Sequence, residues 1–308
     1  MSAINRREVL LGLGGTGLQA VAAQAKPPAP RGTLPQVKLG PHRVSRLIVG
    51  GNPVSGNSHF SGQLSREMTD YFTAANVKKL LRECELAGIN TWQSRGDRHI
   101  TRLLHEYRQE GGSIRWIAQT ASELADQPRH VRELAGHQPL GIYHHGSRTD
   151  RLWQAGQIEQ ARDLLKVIRD AGVQVGLGTH IPEVIDYVES KTWDVDFYMT
   201  CVYNLSRPRQ EAEQLAGRTV QEEFFWDPDR EKMLARVRQT AKPCLIFKVY
   251  AASRKCGSAE DMLAALRLAL RYAKPSDAVV IGMFPKRTEQ VRENCRLIME
   301  AIKQSPSA

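Results

Sequence analysis

The sequence predicts an α/β protein built as a (β/α)8 barrel, also called a TIM barrel. Eight short runs of high β propensity recur roughly every 30–40 residues, and amphipathic helical patterns separate them. Eight strands, each followed by a helix, in a chain of 308 residues are typical of such a barrel. A doubly wound open sheet with the same alternation is the structural alternative.

The predicted strands can be read directly from the sequence. They are RLIVGG from Arg46, INTWQ from Ile89, IRWIAQT from Ile114, LGIYHH from Leu140, VQVGLGT from Val173, FYMTCVYN from Phe197, CLIFKVY from Cys244 and DAVVIGM from Asp277. Before them, the segment VKLGPHRVS from Val37 predicts a short hairpin that covers the bottom of the barrel.

The helical patterns between the strands have recognisable ends. NVKKLLRECELAG stops at Gly88 and QIEQARDLLKVIRDAG stops at Gly172, and glycine after the last turn is a common helix C-terminus. After the first strand comes a polar insertion with aromatic residues, SGNSHFSGQLSREMTDYF. This insertion predicts either a lid over the barrel mouth or a simple surface loop.

The N-terminal glycines have the spacing of a dinucleotide-binding fingerprint, Gly12-x-Gly14-x-x-Gly17. A fingerprint needs a preceding strand and an acidic residue about 20 positions later. No Asp or Glu occurs between Glu8 and Glu67, and the proline-rich AKPPAPRGTLP follows directly. The sequence therefore argues against a cofactor site in these glycines.

The same stretch resembles a twin-arginine export signal. Arg6 and Arg7 precede an apolar, glycine-rich segment that ends in Ala23-Gln24-Ala25, a small-x-small cleavage pattern. The resemblance implies an exported protein, in the periplasm or cell envelope, with the twin-arginine (Tat) export machinery as a partner. The predicted organisation is a signal peptide over 1–25, a linker over 26–36 and the barrel over 37–303.

Composition excludes several classes of protein. The net charge is +10, but 33 acidic residues are spread among 43 basic ones, a pattern typical of a solvated surface rather than a nucleic-acid groove. After residue 30 no apolar stretch approaches the length of about 20 residues that spans a membrane. The five cysteines form no C-x-x-C pair, which favours free thiols.

Barrel enzymes carry their chemistry where strands end and loops begin. At these positions the sequence is polar and rich in imidazole. The residues are Asn52, Gln93, Arg95, Asp97, His99, Gln119, Thr120, His144, His145, Thr179, His180, Tyr203, Asn204, Lys248, Tyr250 and Arg254. The sequence therefore predicts a small-molecule site at this rim.

Four segments together resemble the aldo-keto reductases, which are NADPH-dependent barrel enzymes that reduce carbonyl compounds. They are GINTWQ, VGLGTHIPEVIDYV, DFYMTCVYNLSRP and VVIGMFPKRTEQVREN, in the family's order across most of residues 37–303. The resemblance implies the barrel fold, an NADP(H) cofactor and a polar carbonyl or hydroxyl substrate.

The catalytic group that the family uses is mostly replaced here. Gln93 occupies the position of its Asp, the segment SRGDRHITRLL contains no Tyr, and Gln119 or Thr120 occupies the position of its Lys. Its substrate-orienting His corresponds to His145. The Ser-Asn pair that holds the nicotinamide amide is replaced by Gly178-Thr179. The resemblance thus predicts the fold better than it predicts the usual reductase chemistry.

The cofactor positions that the resemblance implies lie late in the chain. Tyr250 is placed to stack on the nicotinamide ring. The last strand and the start of the last helix supply cationic and amide groups for the phosphates. These residues are Gly282, Met283, Lys286, Arg287, Arg292 and Asn294.

The histidines of the rim offer acid–base or metal chemistry. Hydride transfer to a carbonyl needs a proton donor, and His145 is the first candidate, with His99 or Tyr203 as substitutes. A second hypothesis combines Asp97 and His99 with His180 and one of His144 and His145 around a divalent metal, although adjacent residues of a strand point in opposite directions. The metal is the less favoured hypothesis.

Lys248 ends the seventh predicted strand. A desolvated lysine at such a position can form a Schiff base, or it can bind an anion or pair with an acidic neighbour. The rim as a whole predicts an NADP(H)-dependent oxidoreductase for a polar carbonyl or hydroxyl compound such as a sugar. The alternatives are a non-redox lyase, isomerase or hydrolase that uses the histidine-rich rim, and an inactive barrel that only binds a small molecule.

Overall fold

Eight parallel strands close into a barrel in the computed structural model, which describes residues 34–305. The predicted signal peptide over 1–25 and most of the predicted linker lie outside the described residues. The barrel strands are β3 (Leu47–Gly50), β4 (Thr91–Arg95), β5 (Arg115–Gln119), β6 (Gly141–His144), β7 (Gln174–Thr179), β8 (Phe197–Cys201), β9 (Cys244–Phe247) and β10 (Ala278–Gly282). All eight predicted strands are confirmed.

Strand pairing follows the chain and then closes on itself. Each barrel strand lies parallel to the next, and the last strand, β10, pairs with both β9 and the first strand, β3, where Val280 lies opposite Ile48. Closure of the sheet excludes the open, doubly wound alternative. The fold is a (β/α)8 barrel, as the alternating sequence pattern predicts.

Eleven helices lie between and around the strands of the described region. They are α1 (Gly62–Tyr71), α2 (Ala74–Leu86), α3 (Arg98–Gln109), α4 (Gln127–Ala135), α5 (Gly146–Gln154), α6 (Glu159–Asp170), α7 (Pro182–Ser190), α8 (Arg209–Ala216), α9 (Pro228–Gln239), α10 (Ala259–Tyr272) and α11 (Gln290–Lys303). Three connections carry an additional helix, namely α1, α5 and α8. Among residues 34–305, no helix is both long and apolar enough to cross a membrane.

The outer helices bury one face each. In α6 the buried residues are Ala161, Leu164, Leu165 and Ile168, which recur at the spacing of one face of an α-helix. The helix then ends before Gly172, whose φ of 74° is the left-handed conformation that glycine adopts without steric cost. The predicted glycine C-termini of α2 and α6 are confirmed.

The interior of the barrel is filled by side chains of alternate strand residues. A hairpin formed by β1 (Gln36–Leu39) and β2 (His42–Ser45) contributes Val37, Leu39 and Val44 to the same buried cluster as the barrel interior. The strand side chains in that cluster are Ile48, Ile117, Tyr143, Phe197, Met199, Leu245, Ala278 and Val280. The hairpin thus closes the amino ends of the strands, as predicted, and leaves their carboxyl ends as the barrel mouth.

Candidate functional site

A hydrogen bond between two interior side chains lies at the base of the mouth. Gln93 on β4 donates from Nε2 to the hydroxyl oxygen of Tyr143 on β6 at 2.7 Å, and both residues are buried. Burial raises the pKa of the Tyr143 phenol well above its ordinary value. Tyr143 is therefore a neutral hydroxyl in the barrel interior, and the predicted rim residue Gln93 fixes its orientation.

A buried carboxylate orients the imidazole of His180 beyond the end of β7. Asp150 of α5 accepts hydrogen bonds from three side chains: His180 Nδ1 at 2.6 Å, Thr179 Oγ1 at 2.6 Å and Ser206 Oγ at 2.6 Å. The backbone N–H of His180 adds a fourth at 3.2 Å. Because Nδ1 is engaged by a carboxylate, Nε2 is the nitrogen left to exchange a proton.

The charge state of His180 is set by its neighbours. Burial alone would lower its pKa, but the adjacent Cys201 thiol and the Asp150 carboxylate outweigh burial and raise the pKa to about 10. Cys201 ends β8 and is completely buried. At neutral pH His180 is therefore an imidazolium bonded to the Asp150 carboxylate, which is the state of a general acid.

Lys248 follows β9 and has an unusual backbone. Its φ is 65°, a left-handed conformation in which a side chain costs about 1–2 kcal/mol. Within residues 34–305, its ammonium group makes no hydrogen bond and no ion pair. Burial lowers the pKa of Lys248 to about 8, with Arg254 lowering it further and Cys201 and Glu223 opposing. A far larger fraction of Lys248 is therefore a neutral amine near physiological pH than of an ordinary lysine.

The chain after Lys248 stays in left-handed conformations, with φ values of 49° at Ala251 and Ala252 and 73° at Ser253. Strain of this kind persists only where surrounding structure holds it, and it is common at functional sites. We expect Ala252→Gly to raise the free energy of unfolding by about 0.5–1 kcal/mol, because glycine adopts this conformation without strain. Urea denaturation measures the change.

The matched control for this change is Ala264→Gly in the exposed middle of α10. There glycine only adds conformational freedom to the unfolded chain, so we expect a loss of about 1 kcal/mol. A loss of stability in both variants would contradict the assignment of strain to the Ala252 backbone.

The insertion after β3 crosses the mouth and meets the loop that follows β8. His59 of the insertion pairs through Nδ1 with Glu223 Oε1 at 2.7 Å, and its Nε2 lies 3.2 Å from Asn52 Nδ2. Burial alone would raise the pKa of Glu223, but His59, Lys248 and His180 outweigh burial and lower it. Glu223 is thus a carboxylate close enough to Lys248 and His180 for their charges to lower its pKa.

A cavity of about 590 Å³ lies beside Lys248, His59 and Gln93 and extends towards α11, whereas His180 and Glu223 are not among its lining residues. At the mouth it is lined by Asn52, His59, Gln93, Phe247 and Lys248. Farther out it is lined by Tyr250, Ser258, Gly282, Gln290 and Asn294, among others. A volume of this size fits a small organic molecule or part of a dinucleotide.

The rim histidines predicted from the sequence separate in the structure. His145 is half-buried at the start of α5, and burial and the neighbouring His180 and Arg95 lower its pKa to about 4, which favours the neutral imidazole. Its Nδ1 is buried without a hydrogen-bond partner among the described residues. His144 points the other way and bonds Thr149 Oγ1 at 2.7 Å, as strand alternation requires.

Other predicted catalytic residues have local structural contacts. Asp97 caps α3 by accepting from Ile100 N at 2.9 Å, and it pairs with Arg95 at 3.1 Å. His99 is exposed on the first turn of α3. Tyr203 is fully buried and donates to Asp227 Oδ1 at 3.1 Å. None of these residues lines the 590 Å³ cavity.

The residues implied for the cofactor divide into two sets. Tyr250, Gly282 and Asn294 line the outer part of the cavity, where the Tyr250 hydroxyl bonds Asn294 Oδ1 at 3.0 Å. The rest lie elsewhere: Met283 is buried, Lys286 and Arg287 both contact Glu67 at 3.6 and 2.9 Å, and Arg292 pairs with Glu289 at 3.0 Å.

A metal site was the less favoured sequence hypothesis. Across the part of the chain that the structure describes, no group of three or more His, Cys, Asp or Glu side chains is arranged to hold a metal ion.

Three of the groups at the mouth were not among the predicted site residues. Asp150 lies one turn into the helix after β6, and Cys201 occupies an inward position of β8, so helical and strand periodicity could have indicated both. Glu223 lies in the loop between α8 and α9, where no local pattern predicts its direction. The five cysteines are free thiols, as predicted.

Fold and site together define the class: a (β/α)8-barrel protein with a polar, titratable cluster at the carboxyl ends of its strands. No protein-family model matches the chain, and no curated protein matches its sequence. The barrel is similar to a truncated form of 3-deoxy-D-arabino-heptulosonate 7-phosphate synthase from Thermotoga maritima, with 12% identity, coverage of 88% of this chain and 92% of that chain, and a TM-score of 0.50.

A second solved structure gives a comparable match. The apo form of Gox0644 is 8% identical, with coverage of 89% of this chain and 95% of that chain and a TM-score of 0.51. At such low identities these likenesses show the barrel fold alone.

Proposed function

We propose that this protein is a non-redox barrel enzyme that acts on a small polar carbonyl compound through the amine of Lys248. The observation that carries the proposal is the state of that amine. It lines the cavity, has no hydrogen-bond or ion-pair partner within residues 34–305, and has a pKa lowered to about 8 by burial. A neutral lysine amine at the mouth of a barrel is a nucleophile for carbonyl carbon.

The reaction begins with addition of the Lys248 amine to the carbonyl carbon, which gives a carbinolamine. In this addition one proton of the amine passes to the former carbonyl oxygen. One further proton from an acid then lets the hydroxyl leave as water, and an iminium ion remains whose nitrogen keeps the second amine proton. No electrons are exchanged with a redox partner in this sequence. The iminium withdraws electrons from the neighbouring carbon, so a C–C or C–H bond there can break.

Two groups around Lys248 have complementary proton states. His180, fixed by Asp150 at 2.6 Å and with a pKa raised to about 10, supplies the proton for the departing hydroxyl. Glu223, with a lowered pKa, is the carboxylate that accepts a proton from the substrate. Groups whose environments move their pKa values apart are typical acid and base partners.

The test is reductive trapping of the iminium with glycolaldehyde and cyanoborohydride at pH 7, followed by peptide mass spectrometry. We expect Lys248 to be modified about tenfold or more faster than Lys255, which lies in the same loop but pairs with Asp227 at 2.6 Å. Lys248→Arg should remove the modification at that position, whereas Lys255→Arg should leave it unchanged. Equal rates at the two lysines would refute the proposal.

An NADP(H)-dependent oxidoreductase is the second candidate. It is supported by the outer part of the cavity, where Tyr250, Gly282 and Asn294 occupy positions that the aldo-keto reductase resemblance assigns to the cofactor. Saturating NADPH should then stabilise the protein by about 2.7 kcal/mol at one hundred times its Kd. Thermal unfolding measures this, and the shift should survive in Lys248→Arg. Absence of any shift would remove this candidate.

A further inference from the structure

Arg254, in the loop after β9, contacts two aromatic rings from other loops. Its guanidinium carbon lies 4.2 Å from the ring centre of Phe225 and 5.2 Å from that of Phe60. Nη1 donates to the carbonyl oxygens of His59 at 2.9 Å and Ala251 at 3.2 Å. Three loops of the mouth therefore hold this one cation in place, and its Nε and Nη2 donors remain for another acceptor.

Other basic side chains of these loops each pair with a carboxylate, whereas Arg254 has no such partner among the described residues. Lys255 pairs with Asp227 at 2.6 Å, Arg207 pairs with Asp229 at 2.6 Å, and Arg95 pairs with Asp97 at 3.1 Å. Across residues 34–305, no carboxylate lies within ion-pair distance of Arg254. A rigid, partly desolvated guanidinium with free donors is suited to a carboxylate from outside the chain.

Arg254 and Lys248 lie against the same aromatic ring. Both cations face the ring of Phe225, with the Lys248 Nζ atom 5.8 Å from the ring centre and the Arg254 guanidinium carbon at 4.2 Å. His180 is already bonded to the Asp150 carboxylate at 2.6 Å, and Glu223 is bonded to His59 at 2.7 Å. The guanidinium of Arg254 is therefore available to bind a negatively charged group of a substrate.

We propose that the site takes a 2-oxo acid, whose carbonyl carbon is attacked by Lys248 and whose carboxylate is bound by Arg254. This inference rests on the proposed function and names its substrate class. The carboxylate of a 2-oxo acid is one bond from the carbonyl carbon, so the groups that bind the two must come from the same part of the mouth, and Lys248 and Arg254 both lie against the ring of Phe225. The carbonyl oxygen leaves as water, as in the general reaction above.

The test compares two carbonyl compounds of nearly equal size, pyruvate and neutral hydroxyacetone. Reductive trapping on Lys248 is followed for each by mass spectrometry, and the quantity measured is the ratio of the two trapping efficiencies. We expect Arg254→Gln to lower the efficiency for pyruvate about 10–100-fold and the efficiency for hydroxyacetone less than about threefold. Arg254→Lys should keep part of the preference for pyruvate, because lysine retains the positive charge.

Arg254→Gln also changes the pKa of Lys248, but a changed pKa alters the trapping rates of pyruvate and hydroxyacetone equally. The ratio of the two efficiencies therefore reports only on binding of the carboxylate. Lys255→Gln removes the next cation of the loop and should leave the ratio unchanged. If both compounds label Lys248 and Arg254→Gln leaves the ratio unchanged, the 2-oxo acid inference is wrong and the lysine chemistry stands. If neither compound labels Lys248, the proposed function itself fails.

Discussion

Replacement of Asp229 by alanine is expected to lower the free energy of unfolding by about 3–5 kcal/mol. Asp229 and Arg207 form a buried bidentate ion pair, with Arg207 Nη2 2.6 Å from Asp229 Oδ1 and Nη1 3.0 Å from Oδ2. Both side chains are only 4% exposed. Loss of the carboxylate therefore leaves a guanidinium without its buried counterion, and urea denaturation measures the cost.

The chain provides a matched control on the same arginine. Glu211 also contacts Arg207, at 2.8 Å, but its side chain is 52% exposed, so Glu211→Ala should cost less than about 1 kcal/mol. The double variant Arg207→Met with Asp229→Leu should recover much of the loss, since no buried charge remains. Equal costs for Asp229→Ala and Glu211→Ala would contradict this account.

The ion pair between Arg207 and Asp229 also contacts the connection that carries two residues of the site. Asp229 accepts from the backbone N–H of Asn204 at 3.1 Å, and the Arg207 guanidinium carbon lies 5.4 Å from the ring centre of Trp226. These contacts tie together the two ends of the long connection that contains Glu223 and Phe225. We infer that the ion pair determines where these two residues lie above the mouth.

The second large expected effect is the pH dependence of the reactivity of the Lys248 amine. Competitive labelling with acetic anhydride, read by mass spectrometry, should show its reactivity rising up to about pH 8 and falling about tenfold for each pH unit below. The reason is that burial disfavours the ammonium form, and only the neutral amine reacts. Exposed Lys79 on α2 is an internal reference. A Lys248 midpoint above pH 10 would contradict the lowered pKa.

Two neighbours should move this midpoint in opposite directions. Glu223 stabilises the ammonium form, so Glu223→Gln should shift the labelling profile of Lys248 to lower pH. Arg254 repels the ammonium form, so Arg254→Gln should shift the profile to higher pH. Shifts of the same sign in both variants would show that a general change in burial, rather than these two charges, sets the pKa.

The barrel could be predicted because the sequence patterns that indicate its strands and helices are local and recur along the chain. Helical spacing of apolar residues in α6, the left-handed glycine after it and the eight β-rich runs each follow from interactions within a few residues. Once eight alternating units are recognised, few arrangements can bury them all. The predicted hairpin is confirmed for the same reason, since Val37 and Val44 had to pack on something apolar.

The site was predicted only in part, because it is assembled from distant segments. Lys248 and His180 are polar residues at strand ends; Lys248 lines the cavity, and His180 follows the end of β7. Their partners Glu223 and Asp150 come from a long loop and a helix whose directions no local pattern specifies. His145 ranked first from the family resemblance, yet its environment favours a neutral imidazole whereas His180 carries the charge.

The sequence by itself determined the alternation of strands and helices, the hairpin and the end of the barrel where polar residues gather. These follow from periodicity, turn residues and the rule that strand ends face one side. Only the tertiary structure decided which of those residues meet. Proton states, such as the lowered pKa of Lys248 and the raised pKa of His180, depend on burial and on charges far apart in the chain, and those distances are fixed only when the barrel closes.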